Sequence, residues 1–251
     1  MTTPACHNVA LVTGAGRGLG FAIATELFKA GYRVAVTDAD ETRASTAATK
    51  LDPSGKEVIS LPLNVLQKSD FESALIAVTE KWGGVGVLVN NAALTRTTPV
   101  FDISPEEFSE ILDVNLRGTF LGCQVFGKAF ASLGYGRIIN MASLAGQNGG
   151  AATGAHYAAS KGGIVTLTKV FARDLAANGV TVNAISPGPL DVDLVREILP
   201  AEKLAAVTKS IPVGTLGSPS FIGQLVVLLA SPAAVSMTGA TLDANGGLYV
   251  R

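Results

Sequence analysis

Charge is scarce in this 251-residue chain: Asp, Glu, Lys and Arg together make up 16% of it, and they almost cancel, leaving a formal net charge of −1. A balance so close to neutral gives no electrostatic reason to expect nucleic acid or an anionic membrane surface as a partner. Cysteine is rarer still. Cys6 and Cys123 stand far apart, form no ligand pattern and are expected to be reduced, which suits a cytoplasmic location. The two histidines, His7 and His156, complete no metal-binding spacing with them, so no metal site is expected. No apolar stretch approaches the ~20 residues of a membrane helix. The first residues, Met1 to Ala5, lack the basic-then-apolar pattern of a signal peptide. There is no Gly-x-Ser-x-Gly elbow, which removes the obvious serine-hydrolase reading, and no internal repeat or low-complexity linker divides the chain.

Apolar residues, by contrast, make up 48% of the sequence. That is enough for a sizeable core and more than a monomer's surface needs. Short solid apolar runs alternate with helical periodicity. The strand-like runs are Val9–Thr13, Arg33–Thr37, Val58–Pro62, Val85–Asn90, Arg137–Met141, Val180–Ser186 and Ala240–Leu242. Most are apolar on both faces, as strands covered by helices on both sides require. Ser69 with Glu72, and Ser104-Pro105 with Glu107, read as capping boxes. Gly31 and Gly179 stand where helices end. This alternation predicts a single α/β domain over residues 1–251, built on a doubly wound, seven-stranded parallel sheet.

The first strand runs into Thr13-Gly14-Ala15-Gly16-Arg17-Gly18-Leu19-Gly20, and a helix follows. Glycines there let the backbone turn sharply and approach a pyrophosphate, and the helix N-terminus offers free amides and a positive dipole end. A glycine-rich turn without a ligand is the plainer alternative; the strand–loop–helix setting favours a dinucleotide. Asp38 closes the second strand, near the offset of about 20 residues expected of a ribose-binding acid. Read more plainly, it is a helix N-cap.

Tyr157 and Lys161 are four residues apart and share one face of a helix. Reducing a ketone needs a hydride and a proton. A tyrosine with its ordinary pKa of ~10 is a reluctant acid or base near neutrality, and a nearby ammonium favours its ionised form. Tyr-x-x-x-Lys alone arises by chance often enough to mean little. Here it follows a strand that ends at Ser143, whose hydroxyl is placed to orient a substrate oxygen toward the tyrosine. His156 adjoins Tyr157, but helix neighbours point apart, so it reads as a pocket-rim or structural side chain.

Together these residues resemble the short-chain dehydrogenase/reductase family along essentially the whole chain. The family's glycine motif matches Gly14, Gly18 and Gly20. Its Asn-Asn-Ala signature, which steadies the central sheet, matches Asn90-Asn91-Ala92. Its catalytic asparagine, which holds a water linking lysine to solvent, matches Asn115. Its serine, tyrosine and lysine match Ser143, Tyr157 and Lys161. The resemblance implies a Rossmann-type fold and a nicotinamide cofactor held by Gly14, Arg17, Gly18, Leu19, Gly20, Asp38, Asn64, Val65, Asn91, Ala92, Pro187 and Gly188, with Tyr157 and Lys161. It also implies a substrate-covering segment at about 189–211, in which Asp191, Asp193, Arg196 and Glu197 form a solvated face. Three positions depart from the family pattern: Asn64 replaces an adenine-binding aspartate, Ala93 a glycine, and Val192 a cofactor-binding threonine.

Asp38 favours NAD, since its carboxylate would repel the 2′-phosphate of NADP, whereas Arg17 would attract that phosphate. NAD is the expected cofactor and NADP the alternative. Leu94, Thr95, Arg96, Leu144, Gln147 and Asn148 are expected in the pocket wall. The leading reading is a dehydrogenase of a small secondary alcohol or its ketone. The second is an NADP-dependent 3-oxoacyl-(acyl-carrier-protein) reductase. Reductases of that kind place basic side chains where this chain has Gly134-Tyr135 and Asn178. A third reading is a catalytically silent nucleotide-binding scaffold, against which the intact Ser143, Tyr157 and Lys161 argue. Helices expected over Pro105–Ala131 and Tyr157–Ala177 are apolar around much of their circumference, which fits the homotetramer implied by the resemblance.

Overall fold

The computed structural model describes residues 5–150, 153–192 and 201–250. Its strands are β1 (Val9–Val12), β2 (Arg33–Asp38), β3 (Val58–Pro62), β4 (Val87–Asn90), β5 (Gly136–Met141), β6 (Val180–Pro187) and β7 (Thr241–Ala244). They form one seven-stranded sheet in the order β3-β2-β1-β4-β5-β6-β7. Every neighbouring pair is parallel. This is the α/β Rossmann architecture that the alternation of runs predicts. Among the described residues no helix is long and apolar enough to cross a membrane.

Each strand buries both faces because its alternate side chains enter two different cores. On one side Ala10, Val12, Val87 and Val89 pack with Ile23 and Leu27 of α1 (Gly18–Lys29) and Ala44 and Ala47 of α2 (Glu41–Leu51). Ile222 and Val226 of the helix Pro219–Ala230 complete that layer. On the other side Val9, Leu11 and Leu88 pack with Phe71 and Val78 of α3 (Lys68–Trp82) and with Phe126 and Phe130 of α5 (Gly118–Leu133). The remaining helices that matter for the site are α4 (Pro105–Leu112), the short α6 (Ala145–Asn148) and α7 (Ala155–Leu175).

Two local expectations need correction. Ser69 and Glu72 do not cap α3, whose N-cap is Gln67, two residues before Ser69, and which has no side-chain cap. The acid of its first turn, Asp70, instead accepts the backbone N–H of Asn64 at 3.0 Å and so ties down the loop after β3. The helix expected over Pro105–Ala131 is interrupted by a π-turn at Asp113–Arg117, between α4 and α5. The inserted residue widens the turn and opens the i→i−4 ladder, a distortion concentrated at functional sites, and Asn115 lies inside it. Of the Ser104–Glu107 capping box only the serine half forms, because the Glu107 carboxylate meets His156, while the two glycine stops hold. Ser104 Oγ accepts the Glu107 N–H at 3.1 Å, and Gly31 and Gly179 adopt positive φ at helix ends.

Phe126 is fully buried and meets Phe71 and Phe130 edge-on, with ring centroids 6.5 and 5.9 Å away. Phe126→Ala is expected to lower the unfolding free energy by about 3–5 kcal/mol, the cost of an unfilled aromatic cavity. Denaturant titration measures it, and a loss below about 1 kcal/mol would show that this layer repacks freely.

Candidate active site

Each strand of a parallel sheet ends at the same edge, and that edge collects the residues singled out in the sequence. The crevice opens between β1 and β4, where the strand order reverses direction. There the glycine loop lies directly against the end of β4. Gly14 has φ +61°, and a Cβ on it would sit 2.8 Å from the Ala92 Cα, so both conformation and space demand glycine. Thr13 Oγ1 accepts the N–H groups of Asn91 and Ala92, both at 3.0 Å. The Asn91 amide donates back to the carbonyls of Thr13 (2.9 Å) and Gly14 (3.1 Å). The loop is thus latched in place.

The fit of these residues to a dinucleotide can be read from the loop itself. Arg17 precedes α1 in an extended conformation and leaves the helix without a side-chain cap. The leading amides of Gly18, Leu19 and Gly20 therefore lack the side-chain acceptor that usually satisfies them, which is the arrangement that suits a phosphate. Asp38 is buried at the end of β2 and is no helix cap; Asp40 caps α2 instead, accepting the Arg43 N–H at 3.0 Å. The Asp38 carboxylate accepts from Gly16 N (3.2 Å) and Asp40 N (3.0 Å), which holds it against the glycine loop. Arg17 is exposed. Arg43, the other base beside this corner, is paired with Asp40 at 2.8 Å. Asp40 and Arg43 had drawn no notice in the sequence, although an Asp-x-Asp at a strand end was visible. Val65 is buried against Gly118, and Asn64 turns its side-chain oxygen to the Leu66 N–H at 3.1 Å.

The Ser143, Tyr157 and Lys161 side chains come together where β5, α6 and α7 meet. Lys161 reaches across and donates to the carbonyl of Met141, the last residue of β5, at 2.7 Å. Its ammonium stands 5.6 Å from the centre of the Tyr157 ring. Tyr157 hydrogen-bonds Ser143, and Ser143 Oγ accepts the Ala145 N–H at 3.2 Å. The Leu144 N–H donates to Pro187 O at 2.9 Å, and the Gly188 N–H to Ala244 O at 2.9 Å, so the Pro187-Gly188 turn sits beside Ser143. Asn115 is fully buried, and its side chain is committed. It accepts from Leu94 N (2.7 Å) and donates to Leu94 O (2.9 Å) and Ser160 Oγ (3.0 Å). It therefore reaches α7 through Ser160.

Burial sets the charges. It holds the Tyr157 phenol above its ordinary pKa, with the Ser143 hydrogen bond pulling the other way. It also pushes Lys161 down to about 8. Without cofactor, removal of the phenol from water sets this direction; the lowering expected from Lys161 together with an oxidised nicotinamide ring concerns the complex. Gln147 also departs from expectation. Its amide accepts from Ser186 Oγ (3.0 Å) and donates to Asp243 (2.6 Å), joining α6 to the last two strands rather than facing a substrate. Asp193, Arg196 and Glu197 of the expected covering segment lie outside the described residues.

Comparison with known proteins agrees with this geometry. Residues 14–249 match the family model described as enoyl-(acyl carrier protein) reductase. The chain is 39% identical to the 3-oxoacyl-(acyl-carrier-protein) reductase FabG of Vibrio cholerae over 243 residues, covering 97% of this chain and 98% of that one. It is 37% identical to FabG of Escherichia coli over 245 residues, with the same coverage. It is also 37% identical to galactitol 2-dehydrogenase of Agrobacterium fabrum over 255 residues, again covering 97% and 98%. The chain belongs to the short-chain dehydrogenase/reductase family, and is an NAD(P)-dependent oxidoreductase acting on CH–OH groups.

The Lys161 shift carries a sign that can be measured. Its folded pKa, about 8, lies below the ordinary 10.5. Between those values the unfolded chain holds a proton that the folded chain has released, so this residue's contribution to stability rises with pH. The stability of the wild type relative to Lys161→Met should therefore increase from about pH 7.5 to about pH 10 in urea titrations without cofactor. A difference independent of pH would mean that Lys161 is not desolvated.

Proposed function

We propose that this protein interconverts a secondary alcohol and its ketone, with Tyr157 as the acid/base and NAD(H) as the preferred cofactor. The observation that carries the chemistry is the convergence of Ser143, Tyr157 and Lys161 at the end of β5. A bound nicotinamide supplies or accepts the hydride. Ser143 and Tyr157 together hold the substrate oxygen. Tyr157, neutral in its buried setting, gives that oxygen a proton during reduction. Lys161, anchored on Met141 O, lowers the cost of the tyrosinate left behind. Asn115 steadies the catalytic helix from the π-turn, whose loosened ladder suits a water leading from Lys161 to solvent. Residues 189–211 are assigned as the segment that covers the substrate.

The preference for NAD rests on Asp38. Its carboxylate lies against the glycine loop, Asp40 adds a second negative charge, and Arg43 is already paired. A 2′-phosphate at that corner meets like charge and finds Arg17 as its nearest uncommitted base.

The second reading is reduction of a 3-oxoacyl group, and on substrate class the names of the relatives support it better than a small free alcohol. Delivery by an acidic carrier protein is less well supported. At the positions where basic side chains would serve, Tyr135 is buried and Asn178 is neutral, while the neighbouring Arg137 is buried under backbone carbonyls.

The family's commonness as tetramers fits the apolar surface. Phe108, Phe120, Leu133 and Val170 are exposed on α4, α5 and α7, and Phe221 and Leu228 on the helix Pro219–Ala230. A tetramer of dihedral symmetry needs two such distinct patches. Light scattering should return four chains per particle; a monomer mass at working concentration would overturn this.

A panel of alcohols, ketones and 3-oxoacyl thioesters, free and carrier-bound, assayed with both cofactors tests the rest. Wild type is expected to favour NAD(H) in kcat/KM and Asp38→Ala to gain with NADP(H). Tyr157→Phe should lose about 10²–10⁴-fold in kcat with cofactor affinity nearly intact. A tenfold wild-type preference for NADP(H) would reverse the cofactor assignment, and much faster turnover of carrier-bound than free thioester would make the carrier the donor.

A further inference from the structure

The first turn of α7 is capped in an unusual way. Its N-cap is Gly154, which has no side chain to offer. His156, the second residue of the helix, folds back so that Nδ1 accepts the backbone N–H of Tyr157 at 2.8 Å. The amide that an N-cap serine or aspartate normally satisfies is satisfied here by an imidazole inside the helix. Glycine at 154 follows from that arrangement, because a Cβ there would run into the His156 ring.

The ring is fully buried, and its other nitrogen, Nε2, lies 2.7 Å from Glu107 on α4. Since Nδ1 accepts, it is the bare nitrogen, and the proton resides on Nε2 and is donated to Glu107. Glu107 is itself held below its ordinary pKa by hydrogen bonds from Thr98 and from His156. The Gly154 N–H donates to Arg96 O at 2.9 Å, and the Arg96 guanidinium pairs with Glu110, also on α4, at 2.7 Å. One turn further along α7, Ser160 donates to Tyr157 O at 2.7 Å and accepts from Asn115 at 3.0 Å. Tyr157 is thus bracketed by two polar ties from the same arm, Glu107–His156 at its N–H and Asn115–Ser160 at its carbonyl.

We propose that Glu107 and a neutral, Nε2-protonated His156 form a positioning pair that fixes the backbone of Tyr157, and with it the reach of the phenol toward Ser143 and Lys161. The pair touches neither substrate nor cofactor and acts through the Tyr157 N–H. The assignment rests on the reading of Tyr157 as the proton-transfer residue.

The test compares variants of the full-length enzyme with both substrates saturating. His156→Phe removes both hydrogen bonds and should lower kcat about ten- to a hundredfold, the order that a misplacement near 1 Å costs. Cofactor KM should stay within about twofold, because the glycine loop is untouched. The pH midpoint assigned to Tyr157 should rise in the same variant, since the phenol moves away from the Lys161 charge. Glu107→Gln keeps an acceptor for Nε2–H and should retain nearly wild-type kcat and pH profile, whereas Glu107→Leu should resemble His156→Phe. Wild-type kcat and pH midpoint in His156→Phe would overturn the proposal. Tyr157→Phe separates the two readings: if it is inactive in that case, the role of Tyr157 stands alone, and if it is fully active, both fall. Should His156→Phe fail to fold by circular dichroism, ¹⁵N spectra of the wild-type imidazole decide. A bare Nδ1 and a protonated Nε2 support the pair, and a doubly protonated ring at neutral pH overturns it.

Discussion

A parallel strand cannot turn directly into its neighbour; the chain must first travel back through a helix, and every strand then ends at the same edge of the sheet. Here that constraint gathers the candidate site at one edge. The glycine loop leaves β1, Asp38 ends β2, Asn91 and Ala92 follow β4, Ser143 follows β5 and Pro187 ends β6. Crossovers from β1 to β3 run one way and those from β4 onward run the other. The helices therefore part between β1 and β4, and the crevice forms there with no residue dedicated to making it.

Keeping that edge in register takes buried polar ties, and the molecule satisfies them in chains. Asn90 donates to Asn140 at 2.9 Å across the central strands, and Asn140 donates to Thr168 on α7 at 3.0 Å. Cys123 joins the same pair, its Sγ accepting from Asn90 and its S–H donating to Asn140, both at 3.5 Å, and burial raises its thiol to about 12, so it is a structural group rather than a nucleophile. Each such group left without its partner would cost about 1–3 kcal/mol. The chains thus link the strand ends to the catalytic helix more rigidly than apolar contact alone would.

Electrostatics at the site follow from the same burial. Among the described residues Lys161 has no carboxylate partner; a backbone carbonyl holds it, and desolvation softens its charge. Tyr157 stays neutral for the same reason. A neutral phenol of this kind is a group that can donate a proton, as the proposed mechanism requires. Asp38, by contrast, is held in position by two backbone amides, those of Gly16 and Asp40.

Much of this was legible in the residues. Solid apolar runs separated by helical periods announced a doubly wound sheet because each strand must bury both faces. Tyr157 and Lys161 declared themselves because a fixed helical spacing puts them on one face, and the glycine loop because only its backbone geometry admits a phosphate. What local spacing does not encode is which distant group a side chain will meet. Glu107 looked like half of a capping box, and its carboxylate went to His156, 49 residues away. Ser69 looked like a cap, but the helix was capped two residues earlier, at Gln67, and its acid, Asp70, held the loop before it. Asn115 looked like one more helix residue until the π-turn placed its amide between Leu94 and Ser160. The sequence by itself determined the elements, the edge and the chemistry, since those depend on periodicity and residue type. Only the tertiary structure decided the partners of the buried polar groups, because a hydrogen bond in a dry interior goes to whichever acceptor the packing brings within about 3 Å.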